Sequence, residues 1–316
     1  MTIAPAFWPR RFPLATTTAE MRVFEVEPGE RVLARCHWQE PRDQHPTLIV
    51  LHGLEGSSEA HYVLGVTEKA LHFGFNVIRM NMRNCGATEH LSRTLYNAGM
   101  SGDLISVIRE LRQRDRLPTF FLAGYSLGGN LVLKAAADLA DSGSELLSGV
   151  SAVSPPLDLA LCIDELEKNH NQVYQLRFLL GLKAKLRRKH RLFPDRFDIG
   201  KLRQIHSVRE FDDCYTAPDG GYGNAENYYR SASALPVLER IRVPALIIQA
   251  QDDPFVPFRS FRSEKLRTPY LTLLTPLHGG HAGFIQQSIE SSLELDRFWA
   301  ENRIVTFAAA IARAAG

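Results

Sequence analysis

The sequence predicts an α/β fold: a mostly parallel, mixed β-sheet with helices on both faces. Three observations lead there. Short continuous apolar runs recur at residues 47–51, 76–80, 119–123, 149–153, 243–249 and 270–274, each with the length and composition of a strand buried on both sides. Helix-like segments separate most of them, the alternation that builds a parallel sheet. The box Gly124-Tyr125-Ser126-Leu127-Gly128 stands between one such strand and a run of helix formers at 131–139. That is the strand, sharp turn and helix in which a serine hydroxyl is presented at the carboxyl end of a sheet.

The elements follow in order. Residues 1–18 read as an irregular, Pro-punctuated segment whose Phe7, Trp8, Arg10, Arg11 and Phe12 are expected to pack on the outside, with contact to a membrane surface as the alternative. Residues 21–26 and 31–38 alternate in character around Glu27-Pro28-Gly29-Glu30, a hairpin turn that makes the sheet mixed. The strand at 47–51 ends at His52-Gly53, and a helix at 60–73 is closed by Gly74. After the strand at 76–80, residues 97–114 place Leu104, Val107, Ile108 and Leu111 on one helical stripe. The strand at 149–153 is stopped by Pro155-Pro156. A helix is expected at 288–299, and a helical tail at 307–316.

Residues 156–236 break the rhythm. They hold no buried-type strand and are too long for a plain loop. They read as a helical cap inserted after the sixth strand, dividing the chain into a first core part (1–155), the cap (156–236) and a second core part (237–316). The basic run at 183–191 is read as the solvated face of a cap helix in preference to a patch for phosphate, nucleic acid or acidic lipid. Asp219 to Asn224 reads as a flexible, Gly-rich turn.

Bulk properties narrow the function. The chain has 316 residues, a formal net charge of +2, a 45% hydrophobic and a 23% charged share, which fits a globular protein and gives no reason to expect a nucleic-acid partner. Cys36, Cys85, Cys162 and Cys214 are widely spaced; no zinc site or disulfide framework is expected, and a reducing, cytoplasmic compartment is. No apolar run reaches the roughly 18 residues of a membrane span. No cofactor or metal is expected: among 11 histidines no pair has the H-x-x-x-H or H-E-x-x-H spacing of a zinc hydrolase.

The chemistry is read from three further stretches. A serine nucleophile needs a base, and the base an orienting acid, in the chain order Ser, acid, His for this architecture. Asp252 and Asp253 follow the strand at 243–249, and Asp253 is favoured because Pro254 and Pro257 rigidify its loop. Asp252 is expected to be solvated or tied to loop amides, and Asp158 is a third candidate. After the last strand, His278-Gly279-Gly280-His281 offers two histidines, of which His281 is chosen. The oxyanion formed on attack needs two backbone donors. Leu127, next to the serine, and Leu54, in the loop His52-Gly53-Leu54-Glu55-Gly56-Ser57-Ser58, are assigned to it. His52 is expected to brace that loop.

Together, Gly124 to Asn130, His52 to Ser58, Asp252 to Pro257 and His278 to Phe284 resemble the α/β-hydrolase superfamily. Asn81-Met82-Arg83-Asn84-Cys85-Gly86 and Tyr96-Asn97-Ala98-Gly99 are similar to stretches of its AB hydrolase 4 family, the YheT-like group. Asn84 departs from the family's usual glycine, and Asn tolerates the same unusual backbone angles. The resemblance implies an α/β-hydrolase fold, a triad of Ser126, Asp253 and His281, and carboxylester hydrolase or lipase-like activity. The expectation is a serine esterase, monomeric or homodimeric, acting on small-molecule or lipid-like esters with medium-chain acyl groups favoured. Acyl transfer by the same triad and a non-catalytic binding role are the alternatives.

Overall fold

The computed structural model describes residues 18–140, 146–287 and 296–315. The N-terminal segment and most of the helix expected at 288–299 lie outside the described residues. Eight strands form one sheet in the order β1-β2-β4-β3-β5-β6-β7-β8. They are β1 (Glu20–Glu27), β2 (Glu30–His37), β3 (Thr47–Leu51), β4 (Asn76–Met80), β5 (Phe120–Tyr125), β6 (Gly149–Val153), β7 (Ala245–Ile248) and β8 (Leu271–Leu274). The hairpin β1–β2 joins β4 antiparallel, and β4, β3, β5, β6, β7 and β8 run parallel.

The central strands are apolar throughout because both faces are covered, and alternate side chains feed two cores. In β3, Leu48 and Val50 enter one core and Ile49 and Leu51 the other. Helices α1 (His61–His72) and α7 (Trp299–Ala315) cover the first face; α2 (Ser101–Arg114) and α3 (Leu127–Asp138) cover the second. Lys69 of α1 is almost fully buried and joins the two helices of the first face, pairing with Asp296 Oδ1 at 2.8 Å and Glu301 Oε2 at 2.7 Å.

Residues 296–298 differ from the expected helix. Phe298 forms a bridge with Ile285, and the Trp299 amide donates to the Phe284 carbonyl at 2.9 Å. The chain there is tied back to the loop that carries His281, so α7 begins only at Trp299.

Between β6 and β7 the chain is mostly helical, with α4 (Leu159–Leu166), α5 (Gln172–Leu192) and α6 (Ala225–Ala232) as its longer elements. The Gly-rich turn between α5 and α6 is pinned: Asp219 accepts from the Leu95 amide at 2.6 Å and from Arg196, and Tyr222 packs over Gly99. The basic run of α5 is also not simply a solvated face. Lys185 and Lys189 point inward with the apolar residues Leu182 and Leu186. Lys185 Nζ pairs with Glu55 Oε1 at 2.7 Å, approaches Cys85 Sγ at 3.1 Å and lies 4.1 Å from the centre of the Tyr96 ring. Lys189 donates to the carbonyls of Ser92 and Glu89. Two lysines thus clamp the longest helix onto the loops after β3 and β4. All four cysteines are free thiols.

Buried ion pairs are costly to break on one side, by about 3–5 kcal/mol, because the surviving charge is stranded. Lys185→Met is therefore expected to destabilise the protein by about 3 kcal/mol, and the double variant with Glu55→Gln by less than the sum of the single changes, measured by urea unfolding. Two buried imidazoles add a pH dependence. Burial holds both His37 and His52 at about 4 against an ordinary value of 6.5. The unfolded chain then binds protons that the folded chain refuses, so stability falls as pH drops from 6.5 towards 4. Denaturation midpoints measured across that window are expected to decline, and to decline less steeply in folded His37→Gln/His52→Gln.

Candidate active site

Ser126 is built by the local chain. It lies between β5 and α3 with φ 52° and ψ −122°, a left-handed conformation costly for a residue with a side chain. Close packing over-determines it. A Cβ on Gly124 would come 2.2 Å from the Gly128 carbonyl oxygen, and one on Gly128 would come 2.4 Å from that of His52. Only glycine admits this approach of strand, helix and the loop after β3. The Ser126 amide donates to the Val153 carbonyl at 2.8 Å, which ties the turn to β6. Asn130, fully buried in the first turns of α3, donates to the carbonyls of Ala98 and Ala232 and accepts from the Ala234 amide at 2.8 Å. One side chain therefore fastens the elbow helix to the segment returning from the helical insertion.

The two aspartates after β7 have different surroundings. The Asp253 carboxylate is fully buried; its Oδ2 meets His281 Nδ1 at 2.9 Å, and its Oδ1 accepts from the amides of Phe255 (3.2 Å) and Val256 (3.0 Å). The carboxylate is thus fixed at one oxygen and aimed with the other. Asp252 is partly exposed and accepts from the Gly279 and Gly280 amides at 2.9 and 2.8 Å, with His278 Nδ1 at 3.2 Å. Its partial burial would raise its pKa, but the Gly280 and Gly279 amides and His278 outweigh this and hold the carboxyl below its ordinary value. Asp252 thereby anchors the histidine loop from outside. Asp158 caps α4, accepting from the Leu161 amide.

His281 is 8% exposed, whereas the His278 side chain is largely in solvent. The Phe255 ring packs 4.0 Å from the His281 imidazole, and the Ala282 amide donates to Ser154 Oγ at 3.1 Å. Ser126, His281 and Leu54 line one cleft of about 580 Å³. A second cavity shares Ser126, Leu54, Phe178 and Phe255 with it and adds Leu127. Most of its lining is apolar, including Leu159, Ile163, Leu166 and Leu182. Its polar exceptions include Asp212, whose carboxyl burial pushes up to about 6 while Tyr229 donates to it at 2.8 Å.

The loop after β3 is held from several sides. His52 Nε2 accepts from the Met82 amide at 3.1 Å, so the proton resides on Nδ1, which donates to the Gly53 carbonyl at 2.8 Å. The imidazole braces the loop and is fully buried. Tyr62 accepts from the Gly53 amide at 3.0 Å. Glu55 takes φ 56°; its amide donates to the Tyr96 hydroxyl, which donates back to Glu55 Oε1 at 2.6 Å. Sequence reasoning missed Lys185, Glu55, Tyr96, Asn130 and Ser154 as supports of the site. A signal for Lys185 existed: it falls in register with Leu179, Leu182 and Leu186 on the buried stripe of α5.

Comparison with known proteins bears on this arrangement. A family model described as the alpha/beta hydrolase fold matches residues 46–288. The YheT protein of Escherichia coli (strain K12) is 37% identical over 266 residues, covering 83% of this chain and 76% of the relative. The monoacylglycerol lipase of Saccharomyces cerevisiae is 31% identical over 263 residues, 77% of this chain and 56% of that protein. Phospholipase ABHD3 of Homo sapiens is 29% identical over 244 residues, 76% of this chain and 59% of that protein. The chain thus spans little more than half the length of the last two. Among solved structures, the Pyrococcus furiosus esterase Pf2001 superposes with a TM-score of 0.61 at 14% identity, over 97% of this chain and 98% of that one. Est1E from Butyrivibrio proteoclasticus does so with a TM-score of 0.58 at 17% identity, over 93% and 99%. Sheet order, elbow, family model and the identity to YheT agree, and the chain belongs to the alpha/beta hydrolase family, within its YheT-like group.

Proposed function

We propose that the protein is a serine hydrolase of carboxylic esters that works through an acyl-enzyme. The observation that carries the reading is the buried pairing of Asp253 Oδ2 with His281 Nδ1 at 2.9 Å on a cleft shared with Ser126. With Asp253 holding the proton on Nδ1, His281 Nε2 is left as the base. Ser126 Oγ attacks the ester carbonyl while Nε2 takes its proton. The tetrahedral oxyanion is received by the amides of Leu54 and Leu127, the second at the amino end of α3 where the helix favours negative charge. The imidazolium then protonates the departing alcohol, and a water deprotonated by His281 hydrolyses the acyl-enzyme. Asp253 stays ionised and stabilises the imidazolium.

The apolar lining of the second cavity favours a medium-chain or lipid-like acyl group. The names of the yeast lipase and the human phospholipase point the same way. On this reading residues 156–236 are a cap that supplies the acyl pocket, the substrate is a small-molecule or lipid-like ester, and the protein acts in the cytoplasm.

A p-nitrophenyl ester chain-length series tests the activity and its acyl preference. Ser126→Ala and His281→Ala are expected to lower kcat by at least about 10⁴-fold. Asp253→Asn is expected to cost about 10⁴-fold through the wrong imidazole tautomer, and Asp252→Asn less than about tenfold. Equal losses for the two aspartate variants would refute the division of roles between them.

A further inference from the structure

The helix that lines the cleft also carries a run of exposed apolar side chains. Among the described residues, four of the eight large hydrophobic side chains left exposed belong to α5: Val173 (79%), Leu176 (55%), Leu180 (55%) and Leu192 (48%). The first three stand at i, i+3 and i+7, on one line along the helix. Continued by helical spacing, the same line passes Ala184 and reaches Arg187 and Arg191, both exposed. The outer stripe therefore changes along its length from aliphatic to cationic. No Asp or Glu occurs in the helix. Among the described residues Arg187 and Arg191 make no ion pair, unlike Arg188, which is bound to Glu89.

The opposite side of the same turns leads to the chemistry. Tyr174 and Phe178 both pack on Phe255, at 5.2 and 5.9 Å between ring centres, and Phe255 packs on His281. Tyr174, Arg177, Phe178 and Gly181 line the cleft that holds Ser126. The aliphatic end of the stripe thus flanks the cleft.

We infer that the outer face of α5 docks on the surface of an anionic phospholipid bilayer. Val173, Leu176 and Leu180 enter the boundary between headgroups and acyl chains, while Arg187 and Arg191 lie against lipid phosphates roughly 10–20 Å further along the helix at 1.5 Å per residue. This is the pattern of a helix that lies in the interface: apolar area for depth and cations for anionic headgroups. Among the described residues no helix is long and apolar enough to cross a membrane, so the contact is peripheral. The docking stands without the hydrolase reading; only its purpose, bringing an ester from the lipid to the cleft, rests on it.

The experiment uses the full chain and extruded vesicles of phosphatidylcholine alone or with one quarter phosphatidylglycerol, read by co-sedimentation. Wild type and Ser126→Ala are expected to bind the anionic vesicles equally and at least tenfold more tightly than the neutral ones. Leu176→Glu/Leu180→Glu and Arg187→Glu/Arg191→Glu are each expected to lose at least tenfold of that binding. Both replace exposed side chains outside the cleft lining, so their thermal midpoints and their rates on a soluble p-nitrophenyl butyrate are expected to stay within twofold of wild type. Failure of wild type to sediment with anionic vesicles overturns the inference, as does undiminished binding by the two double variants. A wild-type dimer in gel filtration that Leu176→Glu/Leu180→Glu converts to monomer, with no vesicle binding by either, overturns it in favour of a second copy of the chain. If Ser126→Ala binds vesicles normally but wild type has no esterase activity, the docking holds and the hydrolase reading fails.

Discussion

The turn at Ser126 sets the terms for much of the surrounding structure. A serine at φ 52° is stable only if neighbours leave the backbone no alternative. Gly124 and Gly128 allow strand, helix and the loop after β3 to meet at distances that a single methyl group would forbid. Asn130 then spends its side-chain amide on three backbone groups from two other segments. The turn is consequently the point where the sheet, α3 and the helical insertion are locked together. Strain concentrated at one residue is offset by hydrogen bonds and packing spread over several elements.

The same economy governs the charged groups. Adjacent carboxylates at 252 and 253 are separated in role by burial: one is enclosed and aimed at an imidazole, the other faces outward and fastens the loop that bears that imidazole. Two histidines three residues apart divide in the same way. On the opposite rim, Lys185 delivers a charge from the helical insertion to Glu55, the residue after Leu54. An ion pair so little exposed adds modest net stability but penalises any arrangement that separates its partners. It therefore suits a device that fixes where α5 sits over the loop. That helix faces three ways: lysines into the core, aromatics towards His281 and an aliphatic-to-basic stripe outward.

Much of the fold was legible in the sequence because buried parallel strands are short uninterrupted apolar runs, and those of β3, β4 and β6 coincide with the expected bounds. The Ser, Asp, His order was legible because each residue follows a strand in a Gly- or Pro-marked loop. Asp253 could be preferred over Asp252 from the prolines that follow it, but the different hydrogen bonds of the two depend on the histidine loop, which is distant in sequence. Lys185 and Lys189 were hidden inside a run of like charges. Their inward direction follows from the register of Leu182 and Leu186, a helical periodicity that the charge pattern masked. Ser154 and Asn130 act through contacts with segments about 100 residues away or more, which no local pattern encodes. The helix expected at 288–299 was misjudged at its end: Phe298 pairs with Ile285, a tertiary contact that overrides local helix preference.

The central claim is that Ser126 is an activated nucleophile, and covalent labelling tests it most directly. A fluorophosphonate probe is offered to the native protein at neutral pH and the adduct is located by mass spectrometry. The account predicts one stoichiometric adduct on Ser126, at least tenfold slower labelling in His281→Ala, and none in Ser126→Ala. Folded wild type that remains unlabelled, or an adduct on another residue that persists in Ser126→Ala, would contradict it.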